Sequence, residues 1–429
     1  MFLARLLFRL EPLWSDSREV PPTAQPDVPA DLGAWRTAFG PDGEHDDALA
    51  YARAAVLAGA STVTAVLTVT TPSGEKLRLR SVSGVVAHSS RDTAARLAAK
   101  ANALPSLFLS KARGRTPDEF FALLRRRIAI AKADAPPKHP GSPDARAHLR
   151  RLLRALREDL FTRKQWRLLF GDNLDRAPEP GRLARVTPPR DRIWADPFLF
   201  EADGKAWVFF EEMLFRERCG RIAVGVWDGQ KLRDTRPALE RAHHLSFPQI
   251  FVFEGRPHLI AEAAGSGALT AYECVRWPDT WGEGRKIFEG PAIDPSVFEH
   301  AGRWWLFVNL AAAPGAKADD DLHLFYSDNP LSGRWTPHAL NPVVCDARFA
   351  RGAGRPYVHN GKLHRPAQDC AGGYGRKVVL REITALSPSD YAEHTAGTLS
   401  TAELGPDAVA LHTLNPGRKY VACDYAVRL

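Results

Sequence analysis

Two stretches decide the fold: DPFLFEADGKAWVFF at residues 196–210 and DPSVFEHAGRWWLF at residues 294–307. Each reads as Asp-Pro, a β-like run, a Gly followed by a base, and a second run rich in aromatics. The Gly-base turn recurs at Gly204-Lys205, Gly255-Arg256, Gly302-Arg303, Gly361-Lys362 and Gly417-Arg418, at intervals of 51, 47, 59 and 56 residues. Each turn asks for a residue that tolerates positive φ, and glycine does so without steric cost. A lone hairpin cannot bury both faces, so repeated hairpin units must pack on one another. Five units of this length predict a mainly β fold: a five-bladed β-propeller over residues 190–429. The last unit is short of strands, and the spacing predicts that residues near RLARVTPP, just before Trp194, pair with it.

Residues 1–180 have a different texture. STVTAVLTVT and EKLRLRSV read as strands joined by the turn TPSG. SRDTAARLAAKANAL, TPDEFFALLRRRIAIAKA and ARAHLRRLLRALREDLF read as helices, the second opened by Thr, Pro and two acids. A Pro-rich linker falls near 134–144. This smaller α/β region carries no phosphate loop, dinucleotide fingerprint or nucleophile elbow, and its chemistry is not legible.

With 429 residues, 45% hydrophobic and 25% charged, the chain can bury a large core without metal or disulfide staples. Its five Cys are odd in number and none are paired at metal-ligand spacing, which fits reduced thiols and no metal. The opening MFLARLLFRLEPLW is interrupted by Arg5 and Arg9 and lacks the apolar core of a signal peptide. A cytoplasmic protein is expected. The net charge of +8 favours anionic partners without naming one. The two Arg-rich helices read either as solvated faces or as a patch for the inner face of a membrane.

In such a ring, residues that open the inner strands gather at one mouth. Asp196 and Asp294 open the first and third units, while the second opens with SFPQ, so the turn itself does not require Asp. Both are therefore candidate catalytic residues. Arg351, Arg355 and Arg365 in the fourth unit read either as a cradle for phosphate or as partners of Asp346 and Asp369. Glu262, Asp369 and His243 complete the candidate substrate-binding set.

WADPFLFEADGKAWVFFEE, HLSFPQIFVFEGRPHLIAEA, IDPSVFEHAGRWWLFV, LHLFYSDNPLSGRWTPH and RPAQDCAGGYGRKVVLREI resemble the N-terminal domain of plant glucosamine inositolphosphorylceramide transferases and its bacterial formyltransferase-like relatives. More distantly, the region is similar to five-bladed arabinanases, xylosidases and fructosidases. That superfamily implies Asp196 as base or nucleophile and Asp294 as the orienting carboxylate. Its general-acid Glu has no counterpart in FARGAGRPYVHNGKLHRPAQD, which argues against simple glycoside hydrolysis. The resemblance implies sugar transfer in cell-surface glycan or glycolipid assembly, acting on a sugar donor or glycan, phosphate-bearing where the arginines bind it. It implies no cofactor and no nucleic acid. A furanosidase-like hydrolase and a non-catalytic glycan- or partner-binding propeller are the alternatives.

Overall fold

The computed structural model describes residue 20 and residues 27–87, 89–131, 142, 144–172, 183–314 and 316–429, the side chains of 154–161 and 264 excepted. The opening hydrophobic stretch and nearly all of the expected linker lie outside these residues. The described chain is mainly β, and no helix in it is long and apolar enough to cross a membrane.

The first layer is an antiparallel sheet of β1 (Ala34–Phe39), β2 (Thr62–Thr70) and β3 (Lys76–Gly84). Helices α1 (Ala48–Ala58), α2 (Ser90–Ala112) and α3 (Pro117–Ala131) cover it, and α4 (Ala145–Phe161) packs on α1. Ser89 caps α2 by accepting from the Asp92 N–H, as the sequence SSRD suggests. The core of this layer is its own, centred on Leu67, Leu97 and Phe120.

Two strands follow, β4 (Lys164–Asp172) and β5 (Ala184–Val186). The next sheet holds β6 (Arg192–Ala202), β7 (Lys205–Leu214), β8 (Gly220–Trp227) and β9 (Leu232–Leu239). A second holds β10 (Ser246–Phe253), β11 (Arg256–Glu262), β12 (Ala268–Arg276), β13 (Thr280–Trp281) and β14 (Arg285–Glu289). A third holds β15 (Ile293–His300), β16 (Arg303–Asn309), β17 (Leu322–Ser327) and β18 (Thr336–Pro337). A fourth holds β19 (Arg351–Gly352), β20 (Tyr357–His359), β21 (Lys362–Asp369), β22 (Lys377–Leu386) and β23 (Tyr391–Ser400). The last holds β24 (Ala408–Ala410), β25 (Leu414–Pro416) and β26 (Tyr420–Arg428), together with β4 and β5.

The first strand of each sheet packs on that of the next: β6 on β10, β10 on β15, β15 on β19. The Leu414 N–H donates to Ala353 O at 2.7 Å, and β25 and β26 return to β6, which closes the circle. The expected closing segment does join the last sheet, since Ala184–Val186 is β5, but it pairs with β4. The bond to β26 is made by β4, whose Phe170 faces Ala422. KQWRLLFGD is the longer strand and lies before the expected boundary at residue 180.

Four Gly-base turns hold two successive positive φ values, such as 50° at Asp203 and 72° at Gly204, or 50° at Asn360 and 74° at Gly361. That is the turn whose twist matches flanking antiparallel strands. The fifth differs. Gly417 is not among the positive-φ residues; a side chain there would meet Glu201 Oε1 at 2.7 Å, so the glycine serves close approach.

Candidate active site

Strands β6, β10 and β15 share an irregularity. The ladder shifts between Ala195 and Phe198, between Ser246 and Gln249, and between Ile293 and Ser296. The residue at each bulge has positive φ: 50° at Asp196, 50° at Phe247 and 43° at Asp294. A bulge leaves an N–H without a ladder partner. Here each finds a carboxylate on the preceding sheet. Asp196 N–H donates to Asp424 Oδ2 at 2.9 Å, Phe247 N–H to Asp196 Oδ2 at 3.1 Å, and Asp294 N–H to Glu262 Oε2 at 2.9 Å. The bulges thus draw carboxylates from several sheets to one end of the ring.

Around Asp294 the cluster is tight. Arg351 Nε donates to Asp294 Oδ2 at 2.7 Å and its Nη1 to Asp319 Oδ1 at 2.6 Å, while Gln368 Nε2 reaches Asp294 Oδ2 at 3.2 Å. Burial and the neighbouring Asp294 carboxylate push the Glu262 carboxyl well above its ordinary range. Arg351 is held charged: burial opposes this, but Asp294, Tyr374, Asp319 and Cys370 together outweigh it.

Around Asp196 the partners are His412 and Asp424. His412 Nε2 lies 3.5 Å from Asp196 Oδ1 and its Nδ1 2.6 Å from Asp424 Oδ2. All three are buried. Burial, with help from Glu211, Asp424 and Asp294, pushes Asp196 up to about 8 although His412 opposes it. Burial would lower His412, but Asp424 and Asp196 outweigh it and hold it up at about 9. Burial works against ionised Asp424, yet His412 keeps it below its ordinary value. These three offer ligand atoms within 4.8 Å of one another and, among the described residues, are the set that could hold a cation. Asp424 is already committed, since its Oδ1 accepts the N–H groups of His412 and Thr413 and its Oδ2 that of Asp196. The arrangement suits the sharing of protons along a buried chain.

Rings pack around His412. Trp166 stacks on His412 at 3.9 Å between centroids, and Tyr374 meets His412 edge-on at 5.2 Å. Arg351 lies over the Tyr374 ring at 4.8 Å. Tyr374 is 47% exposed, on a loop between Gly373 and Gly375, yet burial of its hydroxyl, with Asp196, Asp294 and Asp424 nearby, holds that group well above its ordinary range although Arg351 opposes this.

Among the residues singled out from sequence, Asp196, Asp294, Glu262 and Arg351 share this end of the ring. The three arginines do not form one cradle. Arg365 is fully buried against Glu393, at 2.7 Å, where Glu393 also holds the cross-strand partner Arg381. Two guanidiniums facing each other across a ladder need that carboxylate between them. Arg355 sits between β19 and β20, its N–H donating to Asn415 Oδ1 at 2.8 Å, and the charge it feels is Glu201. Asp369 accepts from the Ala371 N–H and lies 3.4 Å from Lys377 Nζ. His243 stays apart; its neighbour His244 accepts from the Gly220 N–H and lies 3.3 Å from Glu211. Sequence reading missed His412, Asp424, Trp166, Tyr374, Gln368 and Asp319. Asp424 did leave a signal, as a lone acid inside the apolar strand YVACDYAV.

A sequence model described as "Glucosamine inositolphosphorylceramide transferase 1, N-terminal" matches residues 185–404, just over half of the chain. The chain belongs to this family. Glucosamine inositolphosphorylceramide transferase 1 of Oryza sativa subsp. japonica is 34% identical over 203 residues, 46% of this chain and 27% of the relative. The protein of the same name from Arabidopsis thaliana is 34% identical over 203 residues, 46% of this chain and 26% of the relative. The match thus spans about a quarter of the length of these curated relatives. Among solved structures, the family 117 glycoside hydrolase Zg3597 of Zobellia galactanivorans is similar at a TM-score of 0.40 and 15% identity, over 63% of this chain and 92% of that one. CoXyl43, a β-xylosidase/α-arabinofuranosidase from a compost metagenome, is similar at 0.40 and 14%, over 55% and 91%. Every site residue singled out from sequence lies inside the glucosamine inositolphosphorylceramide transferase match; Trp166, His412 and Asp424 lie outside it.

Proposed function

We propose that this chain is a glycosyl-transfer enzyme of glycolipid or cell-surface glycan assembly, with its reaction centre at the Asp196–Asp294 end of the ring. On this reading the five sheets are the blades of a propeller. The α/β layer ends before Lys164, and β4 belongs to the ring. The observation that carries the proposal is the meeting of Asp196, Glu262 and Asp294 at one end of the ring, with Asp294 paired to Arg351 at 2.7 Å. Glu262 and Asp196 keep protons where ordinary carboxyls have lost them, whereas Asp294 is ion-paired to Arg351. Such divergence is how a site obtains both an acid and a base. Glu262 is then the proton donor that the fourth unit lacks, and Asp294 the charged partner. Asp196, protonated up to about 8, is better suited to hold and pass a proton with His412 than to attack. The family name supports a glycolipid sugar as substrate. The separation of Arg351, Arg355 and Arg365 removes the main argument for a phosphate-binding leaving-group site.

A second reading rests on the bulges. Asp424, Asp196 and Glu262 each accept a backbone N–H from the next sheet, which a purely structural role also explains. That reading makes the ring a binding module. The experiment is incubation of the whole chain with a panel of nucleotide sugars and glycolipid acceptors, read by nucleotide release. Release with at least one donor, lost in folded Glu262→Gln and Asp294→Asn, is expected. Background release with every donor, alongside retained glycan binding, selects the binding module.

A further inference from the structure

The two Arg-rich helices differ in a way the sequence does not show. On α3 the arginines are engaged: Arg125 with Glu75, Arg126 with Asp390, and Arg127 with the carbonyls of Leu340 and Pro342. On α4, Arg146 and Arg150 are exposed, and neither has an ion-pair partner among the described residues. Leu149 and Leu153 are 52% and 57% exposed. Residues three and four apart share a helix face, so Arg146, Leu149, Arg150 and Leu153 form one outward stripe.

The position of α4 gives the stripe its meaning. Arg151, on the same helix, donates from Nη2 to Val56 O and Leu57 O at the end of α1. Shortly beyond, Ser61 lies against Gly372, where an added Cβ would meet Ser61 Cβ at 3.2 Å. Gly372 opens the loop that carries Tyr374. At its other end α4 runs into β4, whose Trp166 stacks on His412. The helix is therefore tied on both sides to the elements that carry the rings around His412.

We propose that the Arg146–Leu149–Arg150–Leu153 face of α4 docks the protein on an anionic membrane surface, with the site opening at the bilayer. Leucines entering the interface and arginines meeting lipid phosphates are the two attractions that hold an amphipathic helix in that plane. The inference rests on the reading of the substrate as a glycolipid only for its purpose. The binding itself needs no turnover.

The test is co-sedimentation of the whole chain with phosphatidylcholine vesicles, with and without phosphatidylserine, at low and high salt. Binding to the phosphatidylserine vesicles, weakened by salt, is expected. Arg146→Glu/Arg150→Glu should weaken it by about 30-fold or more. Leu149→Ser/Leu153→Ser should also release the protein, while Arg125→Glu on α3 should not. Circular dichroism checks that each variant is folded. Equal binding to neutral vesicles, no binding at all, or wild-type binding by both α4 variants overturns the proposal. Self-association lost in the leucine variants, without vesicle binding, assigns the face to a second copy instead. Vesicle binding without sugar transfer keeps this inference and drops the transferase reading; transfer without vesicle binding does the reverse.

Discussion

Asp196 serves backbone and chemistry together. Its φ of 50° places it in a region that asparagine and aspartate enter more readily than other side chains, and its carboxylate answers the orphaned N–H of Phe247. The same burial gives a pH signature. The folded carboxyl keeps its proton up to about 8, against an ordinary 3.8, so the native state binds the extra proton between those values. Stability must then fall as pH rises through that window, by at most about 1.4 kcal/mol per pH unit. His412, raised from 6.5 to about 9, adds a second fall between those values. Asp424 acts oppositely, its contribution being lost as pH falls from the ordinary 3.8 through its depressed pKa. Melting temperature should therefore decline from about pH 5 to about pH 9. Asp196→Asn removes one of the two raised carboxyls of the site and should make the curve shallower between about pH 5 and about pH 8, leaving the Glu262 and His412 parts. Parallel curves for the two proteins would refute the assignment.

At the scale of elements, the ring is closed by strand order. β26 pairs on one side with β24 and β25 and on the other with β4, so it joins the chain's end to a segment from before the first complete sheet. Ala422 is fully buried at its centre, opposite Asn415 and Phe170. Proline there removes a ladder donor from a central strand, and Ala422→Pro should cost about 3 kcal/mol or more in urea unfolding. Arg428→Pro, at the exposed end of the same strand, should cost much less. Equal losses would mean that β26 does not close the ring.

At the scale of the molecule, the α/β layer is pinned to the ring by charge. Lys100 on α2 is 1% exposed and lies 3.1 Å from Asp321 and 3.5 Å from Asp320, in the segment leading into β17. Burial would strip its proton, but the two acids outweigh burial and hold it charged. Lys100→Met leaves two acids buried without their cation, and a loss of about 3–5 kcal/mol is expected. In calorimetry the layer and the ring should then separate into two transitions. A single transition with unchanged midpoint would show that the clamp does not couple them.

The units of the ring were legible because hairpins are local. Gly204, Gly255, Gly302 and Gly361 need positive φ whatever surrounds them, and side-chain alternation follows from the strand's period of two. The helices of the first layer announced themselves by caps and periodicity for the same reason. Asp196 and Asp294 could be placed at one end because each opens a unit. What only the tertiary structure decided was partnership over distance. His412 and Asp424 stand more than 200 residues from Asp196, and no local rule links them. Arg351, Arg355 and Arg365 looked like one cradle on one short stretch, yet strand alternation and depth along the ring sent them to Asp294, toward Glu201 and to Glu393. Two Arg-rich helices read alike until the fold gave the arginines of one their acids and carbonyls and left Arg146 and Arg150 of the other exposed. Periodicity is written in neighbouring residues, whereas charge pairing and proton sharing depend on which surfaces meet once the ring is closed.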